Sequence, residues 1–189
     1  MTKAALRGIY REKRKQLTSH EIEKMNDLIL VNFQKLTLPY IDYVHTYLAS
    51  PKLGEPQTDP IVRYLQFKNP SLKVLVPKIG SGNGEMLHLA IDDEAEWKVN
   101  QFGIPEPSSG VPVEADLIDL VLVPLLTFDL RGNRVGFGKG YYDRFLALCR
   151  KDVIKIGISF FEPAEEIEDI NEYDIPLNIV VTPQYIYTF

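Results

Sequence analysis

The sequence predicts a three-layer α/β fold, a mostly parallel central sheet with helices on both faces, in a single domain over residues 1–189. Three observations predict it. Short runs rich in β-branched and aromatic residues alternate with helix-periodic segments, the pattern that builds a parallel sheet covered on both sides. One run, Leu117–Val123 (LIDLVLV), is nearly all apolar, as a central strand buried on both faces requires. The chain has 189 residues, 45% hydrophobic and 25% charged, which suits one sizeable core, and it contains no internal repeat, low-complexity stretch or linker.

Residues 1–36 read as N-terminal helices and 37–189 as the α/β core. Leu6, Tyr10 and Leu17 mark the apolar side of a strongly basic helix over residues 3–17. Thr18-Ser19-His20-Glu21 fits a capping box, with Glu21 reaching back to the cap. Ile22, Met25, Ile29, Phe33 and Leu36 then recur at helical spacing, which predicts a helix over residues 19–36. Tyr43–Ala49 reads as the first strand, Pro51 to Pro60 as a loop, and Asp59–Lys68 as a short helix. Leu72–Ile79 is a second strand, Gly80 to Gly84 a turn, and Met86–Ile91 a third strand. Residues 92–116 hold several Pro and Gly and read as mostly loop. After Leu117–Val123 come a glycine-rich loop, a helix over Tyr141–Lys151, and strands at Val153–Phe160 and Ile179–Thr182.

Bulk composition excludes some function classes. The formal net charge is −5, whereas a general nucleic-acid binder carries a positive surplus, so no nucleic-acid partner is expected. No run approaches the roughly 20 apolar residues of a membrane span, and the N-terminus lacks the apolar segment of a secretory signal. The one cysteine, Cys149, forms no disulfide framework. The expectation is a cytoplasmic monomer. His20, His45 and His88 are scattered without metal-ligand spacing, so no zinc site is indicated.

The chemistry concentrates at residues 117–151, where a buried strand leads through an irregular glycine-rich loop into a helix. Ligands of open α/β sheets bind at the carboxyl ends of strands, and a helix N-terminus offers unpaired N–H groups and a partial positive charge. Gly136, Gly138 and Gly140 let the backbone approach a ligand closely. Arg134 and Lys139 add positive charge, and Asp143 sits where a carboxylate can meet a magnesium ion bridging phosphates. The loop is neither a Walker loop, since Lys139 is followed by Gly140, nor the dinucleotide fingerprint, since its third glycine comes one residue early. On spacing alone, a phosphate cradle and a plain surface loop stay open side by side.

The segment VLVPLLTFDLRGNRVGFGKGYYDRFL closely resembles the signature of the 5-formyltetrahydrofolate cyclo-ligase (5,10-methenyltetrahydrofolate synthetase) family. Pro124, Phe128-Asp129, Gly132, Arg134 and Gly136 through Asp143 carry the match. Further pieces follow the family order: Lys3-x-x-Leu6-Arg7 with Arg14 beyond it, Glu55-x-x-Thr58, Pro77-Lys78, Met86, Phe102 through Pro107, and Asn171 through Asp174. The sequence departs from the family pattern at Leu125, where Gly is usual, around Glu162-Pro163, where a Gln is missing, at Tyr173, where His is frequent, and at Phe137.

The resemblance implies an ATP- and Mg2+-dependent enzyme that converts 5-formyltetrahydrofolate to 5,10-methenyltetrahydrofolate by phosphorylating the formyl oxygen, with N10 of the folate attacking next. It implies catalytic roles for Lys139, Arg134 and Tyr141. ATP would be held by Lys3, Arg7, Arg134, Gly136, Gly138, Lys139, Gly140, Tyr141 and Tyr142. The folate would meet Ser50, Glu55, Phe102, Phe137 and Tyr141, and magnesium would be held by Asp143 and Asp174. Two rivals are a nucleotide- or phosphate-binding module without turnover and another small-molecule phosphoryl-transfer enzyme on a similar sheet.

Overall fold

The structure, a computed structural model, describes residues 1–80, 86–92, 95–99 and 105–189. The expected turn at 81–84 and the expected folate contact Phe102 lie outside the described residues. In chain order the elements are α1 (Lys3–Lys15), α2 (Ser19–Phe33), β1 (Tyr43–His45), α3 (Asp59–Lys68), β2 (Lys73–Ile79), β3 (Met86–Ile91), β4 (Trp97–Val99), β5 (Pro105–Pro107), β6 (Val111–Pro112), β7 (Leu120–Pro124), β8 (Thr127–Phe128), β9 (Arg134–Val135), α4 (Tyr141–Leu148), β10 (Ile154–Ile158), β11 (Ile179–Val181) and β12 (Ile186–Thr188).

The capping box forms as the sequence predicts: Thr18 Oγ1 accepts from the Glu21 N–H (3.3 Å), and Glu21 Oε2 accepts from the Thr18 N–H (2.8 Å). Among the described residues, eight strands make the central sheet in the order β12-β11-β10-β7-β1-β2-β3-β6. β11, β10, β7, β1 and β2 run parallel, while β12, β3 and β6 add antiparallel edges. Val121, Leu122 and Val123 of β7 are fully buried, as its apolar run demands.

Alternate residues of each strand feed opposite cores. On one face Ile29 and Phe33 of α2 and Ile61, Val62 and Leu65 of α3 pack on Val44, Leu120, Leu122, Ile156 and Ile158. On the other, Phe145 and Leu146 of α4 pack with Leu75, Val121, Val123 and Val180. The three layers follow. α1 stands apart from both and is anchored by a smaller cluster of Leu6 and Tyr10 with Leu126, Val135 and Ile167.

The structure amends the sequence reading in three places. The expected strand over Tyr43–Ala49 keeps only β1 in the ladder, and residues 46–50 leave the sheet toward the site. The expected loop over 92–116 contains β4 paired with β5, and β6 on β3. The glycine-rich loop contains a small ribbon, β8 with β9, and β12 closes one sheet edge. These strands have two or three residues, too few for an alternation to show, and their pairing partners are tertiary.

The strand order also fixes where a ligand fits. From β1 the chain goes outward to β2 on one side, then returns to lay β7, β10 and β11 on the other. The reversal between β1 and β7 is a switch point, and the crevice beyond the carboxyl ends of strands at such a point is where open sheets bind ligands.

Candidate active site

A cleft of about 690 Å³ opens at that switch point. Its floor comes from the carboxyl ends of the central strands: Tyr47 and Leu48 after β1, Pro77 and Ile79 of β2, and Pro124 of β7. Its walls come from α1, from the loop Gly136–Asp143 entering α4, and from the C-terminal segment bearing Asp169, Asn171 and Asp174.

The loop is shaped by its glycines. Gly138 and Gly140 have φ of 90° and 69°, in the left-handed region that glycine alone enters freely. A β-carbon on Gly138 would lie 3.2 Å from the Arg7 guanidinium, so the loop and α1 touch here. Gly140 caps α4 with no side-chain hydrogen bond, which leaves the first N–H groups of the helix without a side-chain acceptor. Behind the loop, buried Asp129 accepts from the Arg131 and Asn133 N–H groups (2.9 and 3.0 Å) and from Asn133 Nδ2 (2.9 Å), fixing the turn that precedes it.

Two ion pairs stitch the walls together. Lys3 Nζ donates to Asp174 Oδ2, which also accepts from the Asn171 N–H (2.7 Å). Arg134 Nη2 donates to Asp143 Oδ1 (2.6 Å), which also accepts from the Ile175 N–H (3.2 Å), and Arg134 Nη1 donates to the Ile175 carbonyl. Burial pulls the Arg134 guanidinium below its ordinary pKa, and Asp143 pushes it back up. Arg134 has 6% of its side chain exposed, so its charge depends on that acid. In each acid both bonds fall on one oxygen. Asp143 Oδ2 and Asp174 Oδ1 take no part in them.

Tyr47, Glu55 and Tyr142 line another part of the cleft. Glu55 Oε2 accepts from the Ser50 N–H (2.9 Å), and burial raises the Glu55 carboxyl above its ordinary range, with Ser50 and Arg14 opposing. Tyr47 donates its hydroxyl to the Pro56 carbonyl (2.9 Å). The Tyr142 hydroxyl is buried with no hydrogen-bond partner among the described residues, and burial, reinforced by Glu55, pushes its pKa up.

Of the residues singled out in the sequence, Lys3, Arg7, Glu55, Arg134, Gly136, Phe137, Gly138, Lys139, Gly140, Tyr141, Tyr142, Asp143 and Asp174 all line this one cleft. Ser50 stands behind it, 3% exposed, and supports Glu55 through its backbone. Arg14, which follows Lys3 and Arg7 in the segment that resembles the family's opening helix, is a buried peg. Its Nη2 donates to the Leu125 carbonyl and its Nη1 to the Leu53 carbonyl (3.5 Å), tying α1 to the end of β7 and to the short 3-10 turn Pro51–Leu53. Tyr47, Asp169, Asn171, Met86 and Arg11 also line the cleft and were not singled out for it. Only Arg11 carried a local signal, since Lys3, Arg7 and Arg11 recur every four residues on one helix face.

Two departures from the family pattern have structural accounts. Leu125 is buried and fits because Gly157 of β10 leaves room: a β-carbon on Gly157 would collide with the Leu125 and Leu177 side chains. Tyr173 is 75% exposed at a turn where its N–H meets Asn171 Oδ1 (2.9 Å), so the ring is not called on for packing.

No group of three or more His, Cys, Asp or Glu that could hold a metal occurs among the described residues. Magnesium bound with a nucleotide needs only one or two carboxylates, since phosphates and waters supply the rest. Asp143 and Asp174, each with an oxygen outside the ion pairs, fit that limited demand.

Comparisons with known proteins cover nearly the whole chain. The profile of the 5-formyltetrahydrofolate cyclo-ligase family matches residues 1–183. The 5-formyltetrahydrofolate cyclo-ligase of Escherichia coli (strain K12) is 30% identical over 183 residues, covering 94% of this chain and 98% of its own. That of Haemophilus influenzae is 34% identical over 131 residues, covering 66% of this chain and 67% of its own. Among solved structures, the 5,10-methenyltetrahydrofolate synthetase of Aquifex aeolicus matches with a TM-score of 0.75 at 27% identity, over 100% of this chain and 93% of that one. That of Mycoplasma pneumoniae matches with a TM-score of 0.77 at 25% identity, over 97% and 99%. With the fold, the loop and the match along nearly its full length in agreement, the chain belongs to the 5-formyltetrahydrofolate cyclo-ligase family of enzymes.

Proposed function

We propose that the protein converts 5-formyltetrahydrofolate and ATP to 5,10-methenyltetrahydrofolate, ADP and phosphate, with magnesium. The observation that carries this reading is the one cleft in which a cationic, glycine-framed phosphate cradle adjoins a pocket lined by Tyr47, Leu48, Glu55, Pro77 and Ile79.

The formyl group on N5 is an amide and a poor electrophile. Transfer of the γ-phosphoryl to its oxygen makes an iminium phosphate. N10 attacks the formyl carbon and loses its proton, and the carbon–oxygen bond breaks to release phosphate. The bridging carbon is left bonded to N5 and N10. No protein nucleophile is needed, so the chain's work is positioning and charge neutralisation.

Lys3, Arg7 and Lys139, with the N–H groups that open α4, would hold the phosphates. Arg134 acts mainly by holding Asp143 in place. Glu55, Phe137 and Tyr141 would orient the folate. Asp143 and Asp174 would hold magnesium, whose chemistry is to offset the phosphate charge.

The test is turnover. Purified protein with 5-formyltetrahydrofolate, ATP and magnesium should produce the methenyl chromophore, and omission of ATP or chelation of magnesium should abolish it. Absence of the chromophore at high enzyme concentration would overturn the reading.

A further inference from the structure

α1 crosses the cleft from one end to the other. Lys3, Arg7 and Arg11 all line it, four residues apart, which sets them about 6 Å apart along the helix axis. The first two cations are already engaged. Lys3 holds Asp174, and Arg7 Nε donates to the Gly136 carbonyl (2.9 Å). Arg11 has no hydrogen bond or ion pair among the described residues. Its guanidinium lies over the Phe137 ring, 5.7 Å from the centroid.

The contacts of α1 give the cleft a direction. The helix starts at the acidic segment, where the Lys3 N–H donates to Asp169 Oδ1 (2.6 Å) and its ammonium to Asp174. It ends at Arg14, bonded to the Leu53 and Leu125 carbonyls and facing Glu55. Arg11 belongs to this second end, about 12 Å along the axis from Lys3. A guanidinium stacked on a ring uses its face and leaves its N–H edge open, and that edge matches a carboxylate bidentately.

We propose that Arg11 binds the carboxylate end of the substrate, the glutamate of the formylated folate, and so makes the enzyme select glutamyl substrates. The proposal rests on the cyclo-ligase reading. In that reaction the folate alone brings carboxylates, and the nucleotide's phosphates are already assigned to Lys3, Arg7 and Lys139. Phe137, held under Arg11, then covers the aryl ring that precedes the glutamate.

Equilibrium binding by calorimetry tests this without needing turnover. The ligands are 5-formyltetrahydrofolate, its counterpart without glutamate (5-formyltetrahydropteroate), and ATP with magnesium. Arg11→Ala should weaken 5-formyltetrahydrofolate binding about three- to fivefold, the upper part of the range for a solvent-facing arginine–carboxylate pair, and leave the other two ligands within about 1.5-fold. Arg11→Lys should fall between, and added salt should erode the difference. Lys15→Ala removes a cation from the same helix at an exposed site paired with Glu12, and should bind all three like the parent. Equal losses for both folates, a loss on ATP, or no loss at all would overturn the proposal. If the chromophore assay fails while this discrimination persists, the catalytic reading falls and Arg11's role stands. If turnover is intact and Arg11→Ala does not discriminate, only Arg11's role falls.

Discussion

Lys139 and Asp143 lie four residues apart in one motif, yet the structure gives them different burdens. Lys139 is exposed and lines the cleft. Lys139→Ala should lower turnover by about 10²–10³-fold, as loss of a phosphate-stabilising cation does. Its thermal stability should stay within about 0.5 kcal/mol of the parent. Activity within a few-fold of the parent would remove Lys139 from the phosphate clamp. Asp143 also neutralises the buried Arg134. Asp143→Asn should therefore shift the magnesium titration of turnover to higher concentration and also cost about 1–3 kcal/mol in denaturant unfolding. An unaltered magnesium titration would take Asp143 out of the metal site, whatever happens to stability. At this scale the motif was legible because its residues are contiguous, but the double duty of Asp143 was not. Arg134 and Ile175 reach it across 9 and 32 residues of sequence.

Three elements, β1, β3 and α4, meet around two buried histidines that the sequence left scattered. His45 and His88 lie with ring centroids 5.1 Å apart, and His88 stacks on Phe145 at 4.0 Å. Both ring nitrogens of His45 and Nδ1 of His88 lack partners among the described residues. Burial holds His88 down to about 4 from the ordinary 6.5, and burial with His88 nearby holds His45 well below it. The unfolded chain therefore binds protons between pH 6.5 and 4 that the folded chain refuses. The stability tied to His88 is fully present above pH 6.5 and is lost as pH falls toward 4, at about 1.4 kcal/mol per pH unit. His88→Phe keeps a ring against Phe145 and should flatten the pH dependence of the urea midpoint across this window. A variant as steep as the parent would show that His88 does not titrate this way. Sequence periodicity exposed β1, β2, β3, β7 and β10 because each is a continuous run with one or two buried faces. It could not bring His45 and His88 together, since β2 lies between their strands and only the sheet order sets that neighbourhood.

The whole molecule is two well-filled cores around a sheet, with the site's outer wall attached through a third and smaller cluster. α1 supplies three cleft cations but is held by Leu6 and Tyr10 on Leu126, Val135 and Ile167, by Arg14, and by the Lys3–Asp174 ion pair and the Lys3 N–H bond to Asp169. An element with few buried apolar contacts opens at lower free energy than the strands it covers. The opening of α1 would uncover the cleft without disturbing β7 or β10. Native-state hydrogen exchange should therefore show α1 amides exchanging faster than those of β7 and β10, in a step distinct from global unfolding. ATP with magnesium should slow exchange in α1 more than in the sheet, because the nucleotide bridges α1 to the loop at Gly136–Gly140. At a hundredfold excess over its dissociation constant the gain against that opening is about 2.7 kcal/mol if the open state does not bind. Leu6→Ala shortens the peg in the small cluster. It should speed exchange in α1 while leaving β7 and β10 protected, and should raise the KM for ATP. Uniform exchange across α1 and β7, or nucleotide protection confined to the sheet, would mean that α1 is a fixed wall. In that case substrate entry would need some other element to move.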